Sequence, residues 1–343
     1  MQAKLEALVR SYRDKGFFPS AVVSVFTPEE TLCRFAAGDA QVDTVFDVAS
    51  LTKLATTTQI LQLIDAGKLA LEDGILGALP ALEGSALLRE RLEGVTIARL
   101  LTHTSGIVDW YPFYAEGGKP FVEVLESALR RYDPVEGMAY SDLNFMLLGK
   151  VIEARTGLSL DAALETYLAG RLPAGRITYR PEGAWDVAPS CYGNPIEERM
   201  CAERGISFSG WRPHTPVTGE ANDGNAFYYF DGVAGSAGIF ADVEAYEQLG
   251  RLHMTSQSPL FAAAQCEHAP TRGLGWQLGG MYPQGCGHTG FTGTSLYISR
   301  ALGLGVVAFT NRLFYPQENP NPTNQFRTAL HALAAELVAG YHK

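Results

Sequence analysis

The chain has 343 residues, with 37 acidic against 27 basic side chains and a formal net charge of −10. That length supports a substantial apolar core in one large domain or two smaller ones. The acidic balance and the lack of any basic stripe argue against a nucleic-acid partner. No stretch approaches the ~20 continuous apolar residues of a membrane helix.

The opening "MQAKLEALVRSYRDKG" reads as an amphipathic helix with charges throughout. It lacks the apolar centre and small-residue cleavage site of a secretory signal, so a cytoplasmic location is expected, or a periplasmic one if a signal has been removed. Residues 20–26 and 31–38 read as two strands joined by a "TPEE" hairpin turn. From Ser50 to Ala66 apolar residues recur at helical spacing (Leu54, Leu61, Ile64), and Gly67 is a natural stop. Helical patterns follow at 96–103, 121–132, 143–157 and 159–172. Residues 173–235, rich in Gly, Pro, Asn and aromatics, read as long surface loops. A helix is expected at 242–254, then strands at 273–280, 294–300 and 304–310, and a closing helix at 322–340. Five scattered cysteines without a CxxC pair read as free thiols of a reducing compartment.

Strands thus sit at both ends of the chain and helices in the middle. The expected fold class is α/β (α+β): an antiparallel sheet built from N- and C-terminal strands, flanked by the terminal helices, with a mostly helical region inserted. The division expected is 1–75 with 270–343 for the sheet region and 76–269 for the helical region, the active site lying in the cleft between them.

The stretch "FDVASLTKLATT" places Lys53 three residues after Ser50, in the first turn of a helix. Positions i and i+3 share a helix face, roughly 5–6 Å apart at Cβ. An ammonium is disfavoured at the positive end of the helix dipole, so the placement favours the free base of an amine that ordinarily titrates at about 10.4. A neutral Lys53 could take the Ser50 proton, and the helix start offers N–H groups to a developing oxyanion. The plainer alternative is a serine N-cap with Lys53 in solvent. In "AYSDLNFMLLG", Tyr140 stands at a turn before a helix, where a phenol near a lysine can shuttle protons; the alternative is a packing residue beside a helix cap. In "GHTGFTGTSLYIS", His288, Thr289 and Gly290 lie where the chain enters a strand whose edge can offer N–H groups to a carbonyl oxygen.

Taken in order, SxxK, Tyr-x-Asn/Asp and His/Lys-Thr-Gly resemble the serine β-lactamase and penicillin-binding-protein superfamily, and Tyr140 in the middle motif resembles its class C β-lactamase-related branch, which includes esterases, D-aminopeptidases and DD-peptidases. The stretches 46–73, "LLTHTSGI" and "GVAGSAGIFA" share the likeness, which runs from about residue 20 to about 312. The resemblance implies Ser50 as acylated nucleophile, Lys53 as its proton acceptor and Tyr140 as second base. It implies an oxyanion hole from the N–H groups of Ser50 and Phe291, and substrate contacts from Asp142 or Asn144, His288, Thr289 and Gly290. No metal and no cofactor are implied, and the partner is a small-molecule or short-peptide acyl substrate.

Two departures bear on the substrate. Histidine at 288 replaces the usual lysine, which removes a permanent cation for a substrate carboxylate. Aspartate at 142 replaces the usual asparagine; it can pair with Lys53 and raise its pKa, but it cannot donate to a substrate carbonyl unless protonated. Both favour a small ester or D-amino-acid-type substrate over a β-lactam. The rival class is a protein that binds penicillins or cell-wall fragments without turnover. Elsewhere, "VAGSAGI" fails the GxSxG pattern, so its small residues around Ser236 are expected to allow close packing. His103 is expected to be structural. The aromatics of "WYPFY" and "FYYF" either line an acyl pocket or close the long loops.

Overall fold

The structure, a computed structural model, describes residues 1–339. Its main sheet has six antiparallel strands: β1 (Ala21–Phe26), β2 (Thr31–Ala37), β3 (Gln277–Leu278), β4 (Cys286–Thr289), β5 (Ser295–Ser299) and β6 (Leu304–Thr310), in the order β2-β1-β6-β5-β4-β3. The first hairpin and the last strands therefore meet at the middle of the sheet, where β1 pairs with β6 from Ala21–Thr310 to Phe26–Gly305. Every residue of both strands is buried. Their side chains alternate between two cores, as the pleat requires. Val23, Val25, Val306 and Ala308 pack under helix α1 (Gln2–Asp14) and the closing helix α7 (Thr323–Ala339), against Leu5, Val9, Phe326 and Leu330. Val22, Phe26, Val307 and Phe309 face the larger core.

That larger core holds α2 (Thr52–Asp65), α3 (Phe121–Arg131), α4 (Asp142–Thr156), α5 (Leu160–Tyr167) and α6 (Val243–Thr255). Helices α2 and α4 are covered on nearly all sides, which explains why neither has a strongly one-sided apolar pattern. They carry Lys53, one turn past Ser50, and the residues after Tyr140.

The expected helices appear within two residues at most ends, except that the 159–172 pattern stops at Tyr167 and continues as a 3-10 turn, Ala169–Arg171. Gly340, the expected last residue of the closing helix, lies outside the described residues. Of the 273–280 strand only Gln277–Leu278 pairs, and the chain instead forms Cys286–Thr289, which carries the His-Thr-Gly motif to the sheet. Residues 173–235 are not simply surface loops. They contain a helix, Pro195–Glu203, and bury Cys191, Cys201, Val217 and Ala226. The five cysteines are free, four of them buried. No helix among the described residues is long and apolar enough to cross a membrane.

Candidate active site

The chain reaches Ser50 through a strained corner. The short strand Phe46–Asp47 pairs with Phe240–Ala241, and Ala49–Leu51 then form a 3-10 turn that runs into α2. Ala49 takes a left-handed φ of +47°, a conformation that costs an L-residue energy. Lys53 follows one turn later on the same face, and its Nζ lies 2.9 Å from Ser50 Oγ. The lysine is fully buried rather than solvated, and no side chain caps the start of α2.

Lys53 Nζ has two further partners, the Ser236 carbonyl at 2.9 Å and Asp142 Oδ1 at 2.7 Å. These correct the expectation of a neutral amine at rest. Burial is the largest influence and favours the free base, but the Asp142 carboxylate and Tyr140 together outweigh it and hold Lys53 above its ordinary value. The resting site therefore holds an ammonium. Burial, aided by Asp142 and opposed by Lys53, pushes the Tyr140 phenol up, so it rests as a neutral hydroxyl. The Tyr140 ring centroid lies 5.1 Å from Lys53 Nζ.

His103 sets the approach of Tyr140. Its carbonyl accepts the Ala139 N–H at 2.9 Å, its Nδ1 accepts the Ser141 N–H at 3.0 Å, and its ring packs 4.5 Å from the phenol ring. Burial first, then Arg272 and Lys53, push its pKa well down, so it is a neutral brace, as expected of a structural histidine. The small residues around Ser236 allow close packing as anticipated: a Cβ on Gly235 would sit 2.2 Å from the Phe145 carbonyl on α4. That closeness is what lets the Ser236 carbonyl reach Lys53, a contact the sequence did not announce.

Opposite Ser50, residues 289–294 form a tight turn sewn to the serine corner. Thr292 Oγ1 donates to the Asp47 carbonyl at 2.7 Å and Thr294 Oγ1 to the Val48 carbonyl at 2.9 Å. A Cβ at Gly290 would meet Val48 O at 2.3 Å, so only glycine fits there. The Phe291 N–H has no acceptor among the described residues, and the Phe291 side chain is 46% exposed.

Ser50, Tyr140, Thr289, Gly290 and Phe291 line one open cleft of about 410 Å³. His288 and Asn144 do not. His288 is buried, its Nδ1 beside the Thr289 carbonyl at 2.9 Å, and burial followed by Lys53 and Arg272 keeps it neutral. Asn144 is buried on the inner face of α4, accepting from Ser105 Oγ at 2.7 Å. Asp142 is engaged with Lys53. The aromatics of "WYPFY" and "FYYF" pack on each other, as Tyr114 on Tyr228 and Phe113 on Tyr229, and none lines this cleft.

The cleft has cations that the sequence reading missed. Arg272, Arg312 and Arg327 all line it, and each has a buried Nε without a partner. Among the described residues no carboxylate lies within ion-pair distance of them, and Glu318, which faces Arg312, is paired with Arg199. Arg327, 5% exposed, is drawn down to about 10 by burial and remains a cation at neutral pH. It donates to the carbonyls of Gly290 (2.6 Å) and Thr294 (2.9 Å), while Arg312 donates to that of Phe291 (3.1 Å). The two therefore brace the turn and present positive charge to the cleft. The one signal in the sequence was faint: none of the three has an acid at i±3 or i±4.

The Beta-lactamase family model matches residues 5–330. The chain is 29% identical over 338 residues to an N-acetylmuramyl-L-alanine amidase of Bacillus subtilis (strain 168), covering 84% of this chain and 75% of that protein. It is 28% identical over 316 residues to a protein of Salmonella enteritidis PT4 that carries the provisional name D-alanyl-D-alanine carboxypeptidase, covering 82% and 72%. Among solved structures, a class C beta lactamase superposes with a TM-score of 0.72 at 17% identity, covering 97% of each chain. The chain belongs to the Beta-lactamase family and is a serine hydrolase of that fold.

Proposed function

We propose that the protein hydrolyses acyl compounds bearing a carboxylate, short D-amino-acid peptides first among them, through an acyl-Ser50 intermediate, with small esters as accessory substrates. The observation that carries this reading is the 2.9 Å approach of Lys53 Nζ to Ser50 Oγ in a cleft walled by Arg272, Arg312 and Arg327. A guanidinium fork suits a carboxylate, and charge-assisted hydrogen bonds are about twice as strong as neutral ones. The cations that His288 does not supply are thus at hand from other segments. The amidase and carboxypeptidase names of the relatives are in keeping with such a substrate.

Because Lys53 rests charged, it must first lose a proton. Asp142, at 2.7 Å, is the acceptor: when substrate displaces water, a neutral amine–acid pair is favoured over an ion pair. Lys53 then takes the Ser50 proton as Oγ bonds to the acyl carbon, and the oxyanion meets the N–H groups of Ser50 and Phe291. Tyr140 gives its proton to the leaving nitrogen or oxygen as that bond breaks. In the second half the phenolate takes a proton from water, the hydroxide bonds to the acyl carbon, and Ser50 leaves with the proton held by Lys53.

The ammonium at rest also favours a second reading, slow acylation without release, as in a binding protein. One screen separates them. D-alanyl peptides, p-nitrophenyl esters and nitrocefin are offered to the protein and to Ser50→Ala. Turnover beyond one equivalent, greatest on the peptides and lost in Ser50→Ala, is expected. An adduct on Ser50 without turnover would support the binding reading, and silence in all three panels with no adduct would refute both.

A further inference from the structure

The residue three before Ser50 is an aspartate with an unusual position. Asp47 is 3% exposed, and among the described residues no cation lies within ion-pair distance of it. Its carboxylate is satisfied by backbone alone. One oxygen accepts the Ala49 N–H at 2.8 Å and the other the Asn222 N–H at 2.7 Å. Its own carbonyl accepts from Thr292 at 2.7 Å, in the turn that carries Phe291. A carboxylate buried without a counter-ion carries a large desolvation penalty, which its backbone partners must offset. Ala49, which it holds, is the residue with φ +47° that aims Ser50 out of the corner.

We propose that Asp47 is a positioning residue for both half-reactions, the formation and the breakdown of the acyl-Ser50 intermediate. It holds Ala49 in the left-handed conformation, so that the Ser50 hydroxyl and N–H face the cleft, and it fixes the distance between Ser50 and the Phe291 N–H. The inference rests on Ser50 as the nucleophile. Asp47 touches no reacting atom; it acts on the two donors that would meet the oxyanion.

The groups that face Asp47 allow this to be read through pH. Burial pushes its carboxyl up to about 6, and the two N–H bonds and Arg212 pull it down. Asp223, Cys191 and Tyr246 also feel its charge. Above pH 6 both oxygens accept; below it, protonation turns one acceptor into a hydroxyl and loosens the corner. Turnover therefore rises with pH through about 6, in kcat rather than in KM. Asp223 is also raised to about 6, so pH alone does not assign the limb.

The test is the pH dependence of kcat and KM on p-nitrophenyl butyrate, from pH 4.5 to 9, for the native chain, Asp47→Ala, Asp47→Asn and the double variant Asp47→Ala with Ala49→Gly. Asp47→Ala is expected to lose about tenfold or more in kcat with KM changed less than about twofold, the scale of a misplaced oxyanion donor. Asp47→Asn, which keeps one acceptor, should fall between the native chain and Asp47→Ala in kcat, with an acid limb weaker than the native one. Glycine at 49 adopts positive φ freely, so the double variant should recover part of the lost kcat. Native kcat in Asp47→Ala, or no recovery from glycine, would each overturn the proposal. Should the Asp47 variants fail to fold, Ala49→Val places a β-branched residue at φ +47°, and full kcat there would overturn it equally. A parallel Ser50→Ala sample keeps the two readings apart: activity surviving in that variant refutes the nucleophile, whereas activity lost there but native in Asp47→Ala refutes the positioning role alone.

Discussion

Two buried charge clusters, one around Glu247 and one around Lys53, differ in kind. Beneath the sheet, Glu247 on α6 is fully buried and accepts from Ser24 at 2.5 Å, from Arg34 at 2.8 Å, from Arg251 at 2.9 Å and from Thr31. Burial pushes its carboxyl up most strongly, yet these donors together hold it below its usual value. At the cleft, Lys53 is equally buried and has three partners of its own. The difference is in what the partners can do with a proton. Those of Glu247 are guanidiniums and alcohols that keep their protons at neutral pH, so the cluster is fixed and serves the fold. Those of Lys53 include a carboxylate and a serine hydroxyl, with the Tyr140 phenol ring close by, groups that can each take or give one, so that cluster can change state. Burial supplies the stakes in both, and proton exchange distinguishes the site from the scaffold.

Variants in the two clusters should therefore fail in different ways. Lys53→Met is expected to lower kcat by about 10³-fold or more while the chain stays folded, measured by burst kinetics alongside thermal unfolding. Glu247→Gln should do the reverse: a loss of roughly 3 kcal/mol or more of stability in denaturant unfolding, with kcat of the surviving folded fraction unaltered. A stability loss confined to Lys53, or a rate loss at Glu247, would erase the distinction. Asp142→Asn tests the exchange itself. With the carboxylate gone, burial governs Lys53 and its pKa falls, but the internal proton acceptor is lost. A fall of about 10- to 100-fold in kcat at pH 7 is expected, with a rate that climbs as pH rises where the native rate is level. The smallest effect belongs to the cleft wall: Arg272→Gln should reduce kcat/KM for a carboxylate-bearing peptide about tenfold more than for a neutral ester.

What the sequence disclosed and what it hid follow from range. The Ser50–Lys53 spacing is a helix property and was legible within four residues. Short, nearly continuous apolar runs, "AVVSVF" and "LGVVAFT", bounded by turn residues, marked the two central strands, and the hairpin turn between β1 and β2 was local chemistry. That Asp142 can pair with Lys53 and raise its pKa was legible from the motif, but that the pair outweighs burial was not, because Asp142 comes from another helix and its reach depends on how α2 and α4 pack. His288 carries a motif position but turns inward, a matter of strand register rather than of residue type. Arg272, Arg312 and Arg327 come from a loop, a strand end and α7, and only the folded sheet brings them to one cleft. The middle segment around Pro195–Glu203 was misread because its helix is short and its burial comes from aromatic contacts such as Tyr114 with Trp211, not from periodicity.

The central claim is that Ser50 becomes covalently acylated during turnover. Rapid quench with p-nitrophenyl butyrate, followed by peptide mapping by mass spectrometry, measures it directly. The mechanism predicts a butyryl group on the Ser50 peptide that forms within the burst, decays as turnover ends and is missing in Ser50→Ala. Hydrolysis at the native rate with no modified Ser50 peptide at any time, or with the group on another residue, would contradict it.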